Sequence, residues 1–146
     1  MSTTLDNVLK PRLALFAKDL LAAGFKVYLY TSDIKRVRDG GLPQVGNGFR
    51  FSREVEGQTC YATVSLGFFE SASFSMPIKP STQNGSSMWV QHRGLRENAG
   101  PGDYSEALTV ENATLYASPF NSNPLVGRQA NYEDTRFPNL YTEVTP

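Results

Sequence analysis

The chain has 146 residues, with 14 basic and 14 acidic side chains and a formal net charge of zero. That length suits one domain able to bury roughly two thirds of the surface its unfolded chain exposes, and the ordinary balance of apolar and charged residues excludes wholesale disorder. Zero net charge argues against a general nucleic-acid or membrane-surface binder, since both draw on an excess of Lys and Arg.

Residues 4–23 read as an amphipathic helix. Leu5, Leu9, Leu13, Phe16 and Leu20 fall on one stripe at 3.6-residue spacing, with Val8 beside it. Thr3 and Asp6 resemble a capping pair, and Gly24 is placed to end the helix in the left-handed region. Pro11 conflicts with an uninterrupted helix, so the helix kinks there or its regular part begins near Asn7. Phe25, Val27 and Leu29 then alternate with Lys26, Tyr28 and Tyr30, which predicts a strand over 25–31 with tyrosines on its second face. Ser32 is a candidate cap for a short helical turn through Ile34 and Val37, and glycines at 40, 41, 46 and 48 mark a loop.

The plainest pattern lies between Phe49 and Met76. Alternating runs at Phe49 to Val55, Thr59 to Leu66 and Phe68 to Met76 are separated by Glu56-Gly57-Gln58 and by Gly67. Such runs predict a β-meander of antiparallel strands. Pro77 to Ser87 reads as a polar loop, Met88, Trp89 and Val90 as a last sheet strand, and 93–102 as a Gly-rich loop. Asp103 and Glu106 form a capping box for a helix through Leu108 toward Glu111, while Thr109, Val110 and Thr114 favour ending that segment as a strand.

Residues 119–146 show neither period, and carry Phe120, Tyr132, Phe137 and Tyr141 among prolines and polar residues. We read them as an interaction arm whose aromatics dock on the chain's own sheet or on a neighbouring copy. The predicted fold class is α+β: an N-terminal helix on a mainly antiparallel sheet, with a single domain over 1–118 and an irregular C-terminal arm over 119–146.

The chemical motifs are sparse. Cys60 is the only cysteine and His92 the only histidine. They sit on different predicted strands, Cys60 reads as a buried structural thiol, and neither a nucleophile triad nor a metal site is spelled out. Glu54 and Glu56 read as solvent-exposed, not as a hydrolytic carboxylate pair. No catalytic residue, metal or cofactor is assigned.

Phosphate recognition is the most specific chemistry on offer. The loop from Lys79 to Ser87 gathers Lys79, Ser81, Thr82, Asn84, Ser86 and Ser87, with Arg50 and Arg93 as further cations. Backbone amides, hydroxyls and cations together suit an anion, although the spacing is not that of a P-loop. Arg50 and Ser52 share the face opposite Phe49 and Phe51, where an arginine beside tyrosines could stack a base but would ordinarily be a wet sheet face.

The expectation is therefore a soluble, non-enzymatic binding protein that engages a protein partner or a phosphorylated small molecule. Its size and composition are of the kind found among phage and mobile-element accessory proteins. The alternatives are a structural subunit of a homo-oligomeric or viral assembly, and a small enzyme with a dispersed site. The N-terminus lacks signal-peptide regions and no 18-residue apolar run occurs, which places the protein in the cytoplasm, that of the host cell if phage-encoded.

Overall fold

Pro11 decides how the chain begins. Lacking an N–H and clashing with the preceding turn, proline is tolerated at the start of a helix and not in its interior. In the computed structural model, which describes residues 3–67, 72–80, 87–92, 108–117 and 140–145, the expected helix is accordingly split. It forms α1 (Thr3–Val8) and α2 (Pro11–Ala22), the second opening on Pro11. The stripe survives the break: Leu5, Val8, Leu9, Leu13, Phe16 and Leu20 are all buried. Asp6 accepts a 2.7 Å hydrogen bond from Lys18 of α2.

The gap between the two helices is filled by the connection that precedes the sheet. Gly46 N–H donates to the Val8 carbonyl at 2.7 Å, Lys10 N–H donates to the Gly46 carbonyl at 3.1 Å, and Gln44 N–H donates to the Asn7 carbonyl at 2.7 Å. Groups that a helix end leaves without partners are thereby satisfied. A Cβ on Gly46 would stand 2.8 Å from the Val8 carbonyl oxygen, so this position accepts only glycine without displacement. At the other end of α2, Gly24 adopts a φ of 94°. Phe25 N–H reaches the Leu20 carbonyl and Gly24 N–H the Leu21 carbonyl, a Schellman ending that turns the chain into the sheet.

Strand β1 (Lys26–Tyr30) runs directly into α3 (Thr31–Arg38). The helix begins one residue before Ser32, and its capping position is Tyr30, which makes no side-chain cap bond. The meander follows as β2 (Gly48–Val55), β3 (Gln58–Leu66) and β4 (Ala72–Pro80), joined by β5 (Ser87–His92). Val55 pairs with Gln58, leaving a two-residue turn of Glu56 and Gly57 with φ of 51° and 83°. Both being positive, the turn is of the primed kind that matches strand twist.

The sheet has six strands in the order β5-β4-β3-β2-β1-β6, and every neighbouring pair is antiparallel. Strand β4 is described from Ala72, residues 68–71 of the expected run lying outside the described residues, and it takes in Pro77 to Pro80, which the sequence placed in a loop. Its pairing with β3 ends at Ser75, and beyond that point it pairs with β5 alone, with an irregularity between Pro77 and Lys79. Prolines are compatible with a strand there because one side of the backbone carries no ladder.

The expected capping box at Asp103 and Glu106 lies outside the described residues. The helix that is described, α4 (Val110–Tyr116), is capped by Thr109, whose hydroxyl accepts from Asn112 N–H at 3.1 Å. Local preference for a strand at Thr109 to Thr114 is overridden by this cap and by burial of Ala113 and Tyr116. Arg53 donates to the Ala117 and Thr114 carbonyls at 2.6 and 3.2 Å, closing the C-terminal end of α4 where a cation is favoured.

The end of the expected arm is regular: Tyr141–Val144 forms β6, an edge strand on β1 of the same chain. Phe120, Tyr132 and Phe137 lie outside the described residues. One sheet face and the buried sides of α1, α2 and α4 enclose Phe16, Phe49, Phe51, Phe74, Val27, Leu29 and Val64, with Cys60 among them. The Phe74 ring stacks on Tyr116 at 5.2 Å.

Two substitutions test this account of the chain path. G46A should lower the urea unfolding free energy by about 1–3 kcal/mol, the usual range for overpacking a filled site. E56N should raise it by up to about 1 kcal/mol, because asparagine tolerates the left-handed region better than glutamate does.

Candidate functional site

Alternation in β1, β2 and β3 sends one set of side chains into the core and the other set to the opposite face. Tyr28 and Tyr30 of β1, Arg50 and Ser52 of β2, Tyr61 of β3 and Tyr141 of β6 share that second face. The register brings them together: Tyr28 lies opposite Arg50, Ser52 opposite Tyr61, and Tyr30 opposite Tyr141.

Arg50 stands at the centre of this group. Its guanidinium carbon lies 4.0 Å from the Tyr61 ring centroid and 4.7 Å from that of Tyr141. Rings flank these two in turn, with Tyr28 6.3 Å from Tyr61 and Tyr30 5.3 Å from Tyr141. The Tyr28 hydroxyl pairs with the Ser52 hydroxyl at 3.2 Å. The face is not the wet sheet surface that its alternation suggested, for Arg50 is 3% exposed and Ser52 1%.

Burial of this cation is incompletely compensated. Arg50 Nε and Nη2 are both buried and neither has a hydrogen-bond partner among the described residues. Stacking on aromatic faces contributes about 2 kcal/mol when desolvated, whereas taking a charge out of water costs several kcal/mol and a buried donor without an acceptor about 1–3 more. The two rings alone do not balance that cost. The imbalance is the chemical feature of this face, and an acceptor bearing negative charge would remove it.

Beside Tyr141, an open depression of about 260 Å³ is lined by Thr31, Lys35, Tyr141 and Thr142. The Thr31 and Thr142 hydroxyls meet at 2.7 Å across its floor, tying β6 to the first turn of α3. Lys35 is exposed and adds a second cation on the Tyr141 side. Tyr30 is pushed up to about 12, chiefly by burial, with the Tyr141 hydroxyl and the Asp33 carboxylate adding to the shift and Arg50 opposing it. The Asp33 carboxyl is itself raised by burial, an effect that Arg36 partly offsets.

Of the residues expected at an anion site, Arg50 lies here, and it meets Tyr141, which was expected in the interaction arm. Lys79 belongs to β4. Through Thr63 and Ser75 the register sets it about 13 Å along the strand and about 10 Å across from Arg50. Ser87 opens β5 opposite Pro80, while Ser81, Thr82, Asn84, Ser86 and Arg93 lie outside the described residues. Tyr28, Tyr30, Tyr61 and Lys35 were not assigned from the sequence; the signal available was the period-two placement of tyrosines about Arg50. Cys60 and His92 lie two strands apart and offset along the sheet, since Val64, Phe74 and His92 share a level that Cys60 does not.

Buried tyrosines give this fold a pH signature. Tyr116 is, like Tyr30, pushed up to about 12 by burial. A group whose pKa is higher in the folded chain holds its proton more tightly there, so its contribution is intact below pH 10 and is lost as pH rises toward 12. These two groups leave the urea midpoint unchanged between pH 7 and 10, and it should fall between pH 10 and 12. Y30F and Y116F should each make that fall shallower, which equilibrium denaturation across the range measures. No protein-family model, no curated protein and no solved structure matches this chain.

Proposed function

We propose that the chain is a non-enzymatic binding protein whose ligand carries an anionic group, a phosphorylated small molecule in the first instance, and that it binds on the tyrosine face centred on Arg50. The observation that supports this reading is a nearly fully buried guanidinium with two donor nitrogens lacking acceptors. Phosphate oxygens match arginine in charge and geometry, and charge-assisted hydrogen bonds are about twice as strong as neutral ones. Tyrosine rings on either side offer faces for a base or another flat ligand body.

The placement of the reactive side chains favours recognition over catalysis. Cys60 is enclosed in the core on the helix-bearing face, remote from Arg50's face. What the second face presents is charge, hydroxyls and aromatic surface.

Calorimetric titration with nucleoside and sugar phosphates tests the reading. At least one ligand should bind the wild type, and R50M should weaken it tenfold or more. K79A measures whether the segment from Lys79 to Ser87 adds to the site. Silence from every phosphate ester, or an unchanged Kd in R50M, would reject a site centred on Arg50.

A homo-oligomeric assembly subunit is the second reading, and β6 favours it. This edge strand supplies Val144 to the core and Tyr141 to the arginine stack, so exchange of β6 between copies would preserve both contacts. Light scattering across a concentration series should then show mass above the monomer; a strictly monomeric solution rejects it.

A further inference from the structure

The two nitrogens of Arg50 that lack partners are not an arbitrary pair. In a guanidinium, the Nε–H and one N–H of Nη2 point the same way, forming a single edge with two parallel donors. That edge has the spacing of two oxygens on one carboxylate or one phosphate. Two aromatic rings already lie against the group, Tyr61 at 4.0 Å and Tyr141 at 4.7 Å from its central carbon. The unmet hydrogen bonds lie in the guanidinium plane, along an edge that is itself covered, so a ligand meets it by displacing what covers it.

Resting on the binding reading above, we infer that Arg50 takes a two-oxygen anion side-on through Nε and Nη2, with the ligand's oxygens in the guanidinium plane. This fixes the recognised group more narrowly than charge does. A halide or a single hydroxyl offers one accepting atom, on which two parallel donors converge only through bent, weaker hydrogen bonds. A carboxylate or a phosphate satisfies both at once.

The geometry also separates Arg50 from a lysine. Lysine would preserve the positive charge and could contact the rings, but it has no planar pair of donors. Nor would the anion compete with Tyr61 or Tyr141 for the ring faces. Cation stacking and anion binding use different directions of the same group, so the rings hold the edge in one orientation before a ligand arrives, which lowers the ordering cost of binding.

The two oxygen sources are separated by observing the Nε–H signal of Arg50 in ¹⁵N-labelled full-length protein, assigned by its loss in R50K. Phenyl phosphate and benzoate are titrated in turn at constant ionic strength, with sodium chloride as control. The inference predicts a saturable downfield movement of the Arg50 Nε–H signal with at least one probe, at concentrations at least tenfold below any that chloride requires. Movement with phenyl phosphate alone identifies a phosphate site, and movement with both a general two-oxygen site. R50K, folded by its amide spectrum, should bind the active probe at least tenfold more weakly.

An Arg50 signal that stays still under both probes, or R50K binding as tightly as wild type, overturns the inference. If a phosphate ester still binds by calorimetry in an Arg50-dependent way while the Nε–H signal is unmoved, the binding reading stands and only the side-on geometry falls.

Discussion

The structure turns on a positive charge placed where water cannot reach it. Arg50 projects from the middle of β2, between Tyr61 and Tyr141, on the sheet face opposite the helices. A lone guanidinium in such a place is tolerable only if its surroundings return part of what hydration supplied, and two aromatic faces return a fraction of it. The remaining deficit lies in the group's plane, at Nε and Nη2. Neighbouring contacts hold that arrangement: on this face Tyr28 leans on Tyr61 and Tyr30 on Tyr141, and from the other side β6 is tied to α3 through Thr142 and Thr31.

The opposite face explains why such a charge can be accommodated at all. Phe16, Phe49, Phe51 and Phe74 form a contiguous ring cluster with the leucine stripe of α1 and α2 above it, and this core does not depend on the arginine. Arg53, three residues along the same strand, shows the contrast. It points to the helix side and donates to two carbonyls at the end of α4, so its charge is used structurally. Two arginines in one strand thus differ in whether their donors are spent.

Much of the helix-bearing side was legible in the sequence because it follows from periodicity. The stripe from Leu5 to Leu20, the alternation from Phe49 to Leu66 and the left-handed ending at Gly24 each have one local cause, and each element formed there. Pro11 was legible as a conflict, and the structure resolves it by splitting the helix and filling the gap with Gly46, a partner 35 residues away that no local pattern reveals. Strand β4 was misjudged at Pro77 and Pro80 because whether a proline is tolerated depends on which side of the strand is paired. The strand ending from Thr109 onward was misjudged because Thr109, a poor helix former inside a helix, is a good residue just before one.

The site was half legible. Alternation located Arg50 and the tyrosines of β1 on a common face, but periodicity says which face a residue occupies and not whether that face is covered. Tyr141 could not be joined to Arg50 from sequence, since β6 is four residues long with two exposed positions and shows no period of its own. The dependence of Arg50 on an outside anion is most directly tested by equilibrium unfolding of R50M and wild type in a buffer free of phosphate and carboxylate. Because two of its three nitrogens lack an acceptor among the described residues, R50M should be at least as stable as the wild type. A loss of about 3–5 kcal/mol in R50M, the usual effect of breaking a satisfied buried ion pair, would show that Arg50 is already paired within the fold and would contradict the account.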